Sequence, residues 1–181
     1  MKNILVILAE GFEEIEAFTV VDILRRANLI CETCSLKDEF VSGTHNIKVK
    51  CDVSIDDIDK NDYSAVILPG GMPGAINLRD DNRVISLLDD FYKSKKFIGA
   101  ICAAPIVLAK ANIISNLNIT SYPGFERELI GANYLEKDVV QDKFIITSRG
   151  PATAMEFTYK FLENLIGKSK VEEIKSSMLF K

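Results

Sequence analysis

The chain is short of residues on which many protein sites depend: its 181 residues include no tryptophan, one histidine and four cysteines. A single histidine, His45, cannot supply the repeated imidazole ligands of a typical catalytic zinc site. Pairing His45 with a reactive cysteine would require their two segments to meet in the fold. We therefore expect His45 to be a solvated or interface residue, and we predict neither a metal nor a cofactor.

The cysteines are too scattered for a structural metal site or a disulfide framework. Cys31 and Cys34 form a CxxC pair. In a strand, residues three apart point to opposite faces, which is poor geometry for one tetrahedral ion. A second close pair of cysteine or histidine is also missing from the sequence. We predict buried or half-buried thiols at this pair.

The sequence also lacks an excess of positive charge and any long apolar run. The 22 lysines and arginines stand against 26 aspartates and glutamates, the net charge is −4, and no basic tract occurs. Nucleic acid is therefore not expected as a partner. The apolar runs are too short to span a membrane, and Ile4–Ala9 is too short for a secretory signal. We expect a cytoplasmic protein that does not bind membranes.

What the chain does contain is an alternation of short β-rich runs with helical runs, which is typical of βαβ units on a parallel sheet. The predicted strands are Lys2–Ala9, Ile30–Leu36, Ala65–Leu68, Phe97–Ile101, Asn118–Ser121 and Phe144–Thr147, with Ile47–Val53 in a hairpin or flap near Gly43. The predicted helices are Glu13–Asn28, Asn82–Lys93, Ala103–Ala111, Ala152–Ile166 and Val171–Met178. We predict the α/β class: one domain over residues 1–181, a three-layer α/β/α sandwich with a mostly parallel sheet.

The strongest chemical signal lies at residues 97–105, where an apolar strand stops at Cys102 and small residues begin a helix. Tight strand–nucleophile–helix turns need small neighbours for steric reasons. At a helix N-terminus the sulfur would meet unpaired N–H groups, which favour a thiolate and lower the pKa of the thiol. The alternative is a buried structural thiol that follows a core strand.

Three other segments follow predicted strands and support the reactive interpretation. Gly70 and Gly71 lie in a glycine-rich turn that could present N–H groups to an oxyanion, or could be an ordinary turn. The turn is not a phosphate-binding loop, because no Gly-Lys-Ser/Thr follows it. Arg149, in the last of these segments, could bind a carboxylate, or pair with Glu14 and orient the turn; we favour the pairing.

The remaining segment, residues 10–16, is acidic and follows the first predicted strand. Helical spacing places Glu13 and Glu16 on the side of Ala17, and Glu14 on another side. A carboxyl group in an apolar setting has a raised pKa and can donate a proton to a thiolate. For Glu13 and Glu14 we favour stabilisation of the helix N-terminus instead.

Taken together, these residues resemble the ThiJ/PfpI superfamily, and specifically its DJ-1 branch. The resemblance covers nearly the whole chain, and its motifs are weak singly but highly specific together. They are VILAEGFEEIE at 6–16, VDILRRA at 21–27, LPGG at 68–71, GAINL at 74–78, AICAAP at 100–105 and TSRGP at 147–151.

The resemblance implies a flavodoxin-like sandwich and a homodimer whose contact includes Ile15, Arg25 and Arg26 of the first helix. It also implies that Cys102 lies in a strained nucleophile elbow and that Glu16 is protonated and hydrogen-bonds the sulfur. Backbone N–H groups of Gly71 and Ala103 would form the oxyanion site, and Gly70, Tyr122 and Arg149 would support it.

One position departs from the family pattern, because Tyr122 stands where many members have a histidine beside the cysteine. A phenol with a pKa of about 10 is a poor proton acceptor near neutral pH. Glu16 would therefore have to act as the acid and base, while Tyr122 could only donate a hydrogen bond. The missing histidine also argues against a peptidase, an activity found in the wider family.

The resemblance favours an enzyme that acts on small reactive carbonyls such as methylglyoxal without glutathione, a glyoxalase or deglycase. The first alternative is a redox sensor or protective protein that acts through oxidation of Cys102. A chaperone-like protein with a vestigial site, or an intracellular peptidase relative, is the further alternative.

Overall fold

The computed structural model of the protein describes residues 3–180. The first predicted strand is found at its apolar part, and its predicted first residue, Lys2, lies outside the described residues. The strands are β1 Asn3–Leu8, β2 Cys31–Ser35, β3 Phe40–Ser42, β4 Lys48–Lys50, β5 Val53–Ser54, β6 Tyr63–Leu68, β7 Phe97–Ile101, β8 Asn118–Ile119, β9 Asn133–Tyr134, β10 Val139–Asp142 and β11 Ile145–Ser148. The helices are α1 Glu14–Arg26, α2 Gly74–Asp80, α3 Asn82–Lys93, α4 Pro105–Lys110, α5 Ala154–Ile166 and α6 Lys168–Ser177.

Seven of the strands form one sheet in the order β10-β11-β7-β6-β1-β2-β5. Every neighbouring pair is parallel except β10 and β11. The chain leaves β1 towards β2 on one side and later returns to place β6 on the other side. The carboxyl ends of β1 and β6 therefore flank the topological switch point, where open α/β sheets bind ligands.

Helices cover both faces of this sheet, which gives the three predicted layers. One apolar cluster contains residues of α2, α3 and α4, and the other contains residues of α1, α5 and α6. Cys31 packs in one cluster and Cys34 in the other, as expected for strand residues three apart. The predicted α/β class and mostly parallel sheet are confirmed.

The differences from prediction lie in short elements. The helix α2 was missed because the glycines and proline before it read as a turn. The strand β10 was missed as well, since it pairs antiparallel as a polar edge strand. The predicted strand at Asn118–Ser121 covers only β8, which pairs with β9 in a separate two-stranded sheet.

Both arginines at the end of the first helix bind groups of the same chain. Arg26 and Asp22, four residues apart, form an ion pair at 2.6 Å, and Arg25 binds the carbonyl of Cys31 and the carboxylate of Asp52. Ile15 is 55% exposed, and the dimer contact through this helix stays a prediction. Among residues 3–180 no helix combines the length and the apolar composition needed to cross a bilayer.

The predicted hairpin exists as β3 and β4, here called the flap, residues 40–50. Gly43 in its turn forms a bridge with Phe12. Glu14 holds the same turn, because its carboxylate accepts hydrogen bonds from the backbone N–H of His45 at 2.7 Å and from the His45 ring at 2.8 Å. The capping role expected of Glu13 is not found, since its side chain makes no cap hydrogen bond.

Candidate active site

Cys102 lies directly after β7 in a strained backbone conformation. Its φ is 63°, in the left-handed region that non-glycine residues rarely occupy. Its N–H donates to the carbonyl of Ser148 at 2.9 Å, and its carbonyl accepts from the N–H of Tyr122 at 2.8 Å. Strain of this kind is worth about 1–3 kcal/mol and persists only where the surroundings hold it. These two hydrogen bonds therefore fix the direction of the sulfur.

Exposure separates Cys102 from the other cysteines. Cys102 is half-buried, whereas Cys31, Cys34 and Cys51 are buried. Burial raises the pKa of Cys31 and Cys34 to about 12 and that of Cys51 to about 11. A buried thiol is out of reach of reagents in solution, so solution chemistry is open mainly to Cys102.

The carboxyl group of Glu16 reaches the same place from the first turn of α1. Its side chain is fully buried, and Oε2 accepts from the N–H of Gly70 at 2.7 Å. No group among residues 3–180 offers Oε1 a hydrogen bond of good geometry. Burial raises the pKa of Glu16 from 4.5 to about 7, against the lowering effect of hydrogen bonds from Gly70 and Cys102. An orphan oxygen of this kind is the natural position for the proton of a neutral carboxyl group.

The lowered pKa expected for Cys102 is not found. Burial raises the pKa of the thiol to about 12, the negative charge of Glu16 raises it further, and the N–H groups of Gly71 and Ala103 oppose the increase. The prediction was wrong mainly because the sulfur is buried, and two further features contribute. The helix α4 begins only at Pro105 and has six residues, so its N-terminus is displaced from the sulfur and its dipole is small. The ionised form of Glu16 repels a thiolate.

Cys102 and Glu16 therefore titrate as a coupled pair. Between pH values of about 7 and about 12 the pair holds one proton and one negative charge. Two backbone N–H groups favour the charge on sulfur, and one favours it on the carboxylate. We infer that the thiolate form is stabilised when Glu16 keeps the shared proton.

Glycine is required at the turn between these two groups. A Cβ at Gly70 would lie 2.7 Å from the Cβ of Cys102 and 2.9 Å from Oε2 of Glu16. Gly71 has a φ of 88°, and a Cβ there would lie 2.4 Å from the backbone N of Glu13. The absence of side chains lets this turn approach the sulfur with its N–H groups.

Tyr122 stands at the mouth of the site, where the sequence comparison with the family places it. Its side chain is 47% exposed. A Cβ at Gly150 would lie 3.2 Å from Cδ2 of Tyr122, so the ring covers that glycine. The tyrosine is thus bound to Cys102 through its backbone and presents an aromatic wall to solvent.

Arg149 does not make the contact that we favoured. Its guanidinium pairs with Glu136 at 3.2 Å rather than with Glu14, whose carboxylate is occupied by His45. Arg149 nevertheless follows Ser148, whose carbonyl holds the N–H of Cys102. The roles of Ser148 and of the Glu14–His45 pair had no signal in the sequence, because each depends on pairing between distant segments.

The one described group of possible metal ligands is Glu13, Glu14 and His45, whose ligand atoms lie within 4.8 Å of one another. The hydrogen bonds between His45 and Glu14 account for this proximity, and the shortest ring contact to Glu13 is 3.9 Å. We assign these residues to fastening the flap to α1. Chemically, the site at Cys102 brings together a half-buried sulfur, a carboxyl group with a raised pKa and two backbone N–H donors.

Comparisons with known proteins agree with this geometry. The family model described as DJ-1/PfpI family matches residues 2–164. Drosophila melanogaster Protein dj-1beta is 39% identical over 182 residues, which cover 98% of this chain and 97% of that protein. The Danio rerio protein named Parkinson disease protein 7 homolog is 35% identical over 185 residues, covering 99% and 98%.

Solved structures show the same likeness. The crystal structure of Drosophila melanogaster DJ-1beta has a TM-score of 0.96 at 38% identity and covers 99% of this chain and 98% of that one. Oxidized Toxoplasma gondii DJ-1 has a TM-score of 0.94 at 33% identity and covers 99% of both chains. With sequence, fold and site geometry in agreement, the chain belongs to the DJ-1/PfpI family.

Proposed function

We propose that the protein is a cysteine-dependent enzyme that converts small reactive carbonyls, such as methylglyoxal, into 2-hydroxy acids without glutathione. The observation that carries the proposal is the half-exposed Cys102 sulfur, which is faced by the N–H groups of Gly71 and Ala103 and by the carboxyl group of Glu16. Each reaction step needs one of these groups.

In the first step the Cys102 thiolate attacks the aldehyde carbon. A carbon–sulfur bond forms, and the electrons of the carbonyl double bond move to oxygen. The N–H groups of Gly71 and Ala103 stabilise the resulting oxyanion. Glu16 then gives its proton to that oxygen, which leaves a neutral hemithioacetal and an ionised carboxylate.

In the second step the Glu16 carboxylate takes the proton from the former aldehyde carbon and returns it to the neighbouring carbon through an enediol. The first carbon is thereby oxidised to a thioester, and the second is reduced to an alcohol. Water attacks the thioester, the carbon–sulfur bond breaks, and Cys102 is released. The sum is methylglyoxal plus water giving lactate, so no external oxidant or reductant is required.

The proposal is tested by measuring lactate formed from methylglyoxal by the purified protein, by Cys102→Ala and by Cys51→Ala. We expect the wild type and Cys51→Ala to form lactate at similar rates, because Cys51 is a buried thiol with a raised pKa. Cys102→Ala should lose the activity completely. Equal lactate formation by wild type and Cys102→Ala would exclude the proposal.

A second function is favoured by the exposure of Cys102 alone among the four thiols. In a redox sensor, the thiolate would attack hydrogen peroxide, a sulfur–oxygen bond would form and hydroxide would leave. A second peroxide would carry the sulfenic acid to sulfinic acid. The solved structure of Toxoplasma gondii DJ-1 described as oxidized belongs to a relative at 33% identity.

Mass spectrometry after mild peroxide treatment tests this second function. We expect sulfinic acid at Cys102 and unmodified thiols at Cys31, Cys34 and Cys51, since the three buried sulfurs are inaccessible. Glu16→Gln serves as a comparison, because it removes the acid but leaves the sulfur exposed. Uniform oxidation of all four cysteines would rule out a selective sensor.

A further inference from the structure

The two backbone hydrogen bonds of Cys102 come from separate parts of the chain. The carbonyl of Ser148, at the end of β11, accepts from the N–H of Cys102 at 2.9 Å, and the N–H of Tyr122 donates to the carbonyl of Cys102 at 2.8 Å. A residue with a φ of 63° relaxes unless its surroundings hold it. The orientation of the sulfur therefore depends on what fixes Ser148 and Tyr122 relative to each other.

A buried hydroxyl group joins these two parts of the chain. Thr147, the residue before Ser148, accepts a hydrogen bond on Oγ1 from the N–H of Thr120 at 3.0 Å. Thr120 lies two residues before Tyr122, and both threonines are fully buried. Because water cannot reach this bond, removing the hydroxyl of Thr147 would deprive the N–H of Thr120 of its acceptor. The bond thus links the segment that holds one backbone group of Cys102 to the strand that holds the other.

The strand β11 is itself fastened on both faces of the sheet. Thr147 and Ser148 are neighbours in a strand, so their side chains point to opposite faces. On the face covered by α5, the hydroxyl of Ser148 donates to the carbonyl of Asp138 at 2.7 Å and lies 2.6 Å from Oγ1 of Thr153, just before α5. On the other face, Thr147 binds the segment of residues 118–122. The carboxyl end of β11 is therefore a fixed point against which that segment is held.

A second hydrogen bond ties the same segment to the sheet at the far end of β11. The N–H of Asn118 donates to the carboxylate of Asp142 in β10 at 2.8 Å. Asp142 pairs with the first residue of β11, and the bond is exposed, so water can replace either partner. Thr147 combines burial with a place beside both partners of Cys102, which the bond of Asn118 does not.

We propose that Thr147 is a positioning residue of the candidate active site, whose buried hydroxyl holds the strained turn at Cys102 so that the sulfur faces Glu16. It acts through the backbone of Tyr122 and Ser148 and takes no part in bond formation. The inference rests on the proposed function in taking Cys102 as the reactive residue. It concerns the placement of the sulfur and not the reagent that the sulfur attacks.

The placement is measured through the effect of Glu16 on the thiol. Burial is the largest cause of the raised pKa of Cys102, and the negative charge of Glu16 raises that pKa further. Glu16→Gln should therefore increase the thiolate fraction, which controls the rate of alkylation by iodoacetamide. We expect this variant to speed alkylation of Cys102 at pH 9 about tenfold, the change that follows from one pKa unit. Mass spectrometry of the Cys102 peptide follows the rate at this cysteine alone.

Replacements of Thr147 then show whether its hydroxyl holds the sulfur beside Glu16. Thr147→Val keeps a branched side chain and removes the acceptor. In this background we expect the effect of Glu16→Gln to fall below about twofold, because the sulfur no longer faces the carboxylate. Thr147→Ser keeps the hydroxyl and loses only the methyl group, so the effect should remain about tenfold. Loss of the effect in Thr147→Ser would overturn the proposal, whether or not Thr147→Val folds.

Thr158→Val is the matched control for the loss of a buried hydroxyl. Thr158 is also fully buried, and its hydroxyl donates within α5 to the carbonyl of Ala154 at 2.7 Å. This variant should keep the full effect of Glu16→Gln. The proposal is contradicted if the effect survives in Thr147→Val or disappears in Thr158→Val. Lactate formation is measured on the same proteins: a wild type that forms no lactate but shows the expected alkylation pattern would refute the enzyme activity alone.

Discussion

Replacing Glu16 with glutamine is expected to lower kcat/KM for methylglyoxal by at least about a hundredfold, the usual contribution of a positioned acid or base. Glutamine keeps an oxygen that can accept from the N–H of Gly70, which lies 2.7 Å from Oε2 in the wild type. It cannot hold or return the proton that the hemithioacetal needs. Steady-state lactate formation at pH 7.5 measures the loss, with folding checked by circular dichroism.

The pH dependence of kcat/KM tests whether the loss of activity in Glu16→Gln comes from the missing proton. The coupled pair loses its first proton near the raised pKa of Glu16, about 7, so kcat/KM of the wild type should rise with pH through that value. The residual activity of Glu16→Gln should lack this limb. Glu13→Gln is the matched control, because it changes a carboxylate whose charge raises the pKa of Glu16 without touching the sulfur. A hundredfold loss in Glu13→Gln would show that helix charge, not the Glu16 proton, is responsible.

The free energy of unfolding should fall with pH over the range in which kcat/KM begins to rise. The pKa of Glu16 is about 7 in the folded protein and near 4.5 in the unfolded chain, so between these values the unfolded chain releases its proton first. The free energy of unfolding therefore falls as pH rises from 4.5 to 7, by about 3 kcal/mol in total. Glu16→Gln removes this loss and should be more stable than the wild type at pH 8. Urea denaturation of the wild type and of Glu16→Gln at pH 5 and pH 8 measures the change in unfolding free energy for each protein.

Replacing Gly71 with alanine is expected to destabilise the protein by about 3 kcal/mol and to abolish carbonyl activity. Alanine is strained at a φ of 88°, which accounts for roughly 1 kcal/mol. The new Cβ would also lie 2.4 Å from the backbone N of Glu13, and such overpacking adds about 1–3 kcal/mol. Because backbone cannot rotate away as a side chain does, the turn must shift and its N–H must leave the sulfur.

Gly124→Ala is the control that separates the strain of a positive φ from the steric clash of a new Cβ. Gly124 has a φ of 100°, but a Cβ there would meet nothing within 4 Å. We expect this variant to lose roughly 1 kcal/mol and to keep its activity. Urea denaturation and lactate formation are measured on both variants. If Gly71→Ala and Gly124→Ala lose the same stability and activity, the close approach of the turn has no role.

The sequence was sufficient where a pattern repeats along the chain. The buried strand β1 reads as continuous apolar residues, and α3 as an apolar stripe, and both appear as expected. The motifs around Cys102, Glu16 and Gly71 were also expected to lie together, since the carboxyl ends of neighbouring parallel strands meet at one edge, and they do. Periodicity and sheet topology thus determine both the layers and the neighbourhood of the cysteine.

The sequence was insufficient where a property depends on solvent exclusion or on distant partners. The pKa of Cys102 was predicted in the wrong direction, because neither the late start of α4 nor the burial beside Glu16 can be read from spacing. The partner of Arg149 was missed because Glu14 is already bound to His45. Which of several possible partners a side chain binds depends on their positions in three dimensions, and the sequence of one chain does not give those positions.

The two backbone hydrogen bonds of Cys102 have a consequence for the growing chain on the ribosome. Their partners are Tyr122, which follows the cysteine by 20 residues, and Ser148, which follows it by 46. Until β11 has been synthesised and docked beside β7, nothing holds Cys102 in its left-handed conformation, and the residue relaxes. The sulfur therefore gains its reactive orientation only late in synthesis, after most of the core can form around it.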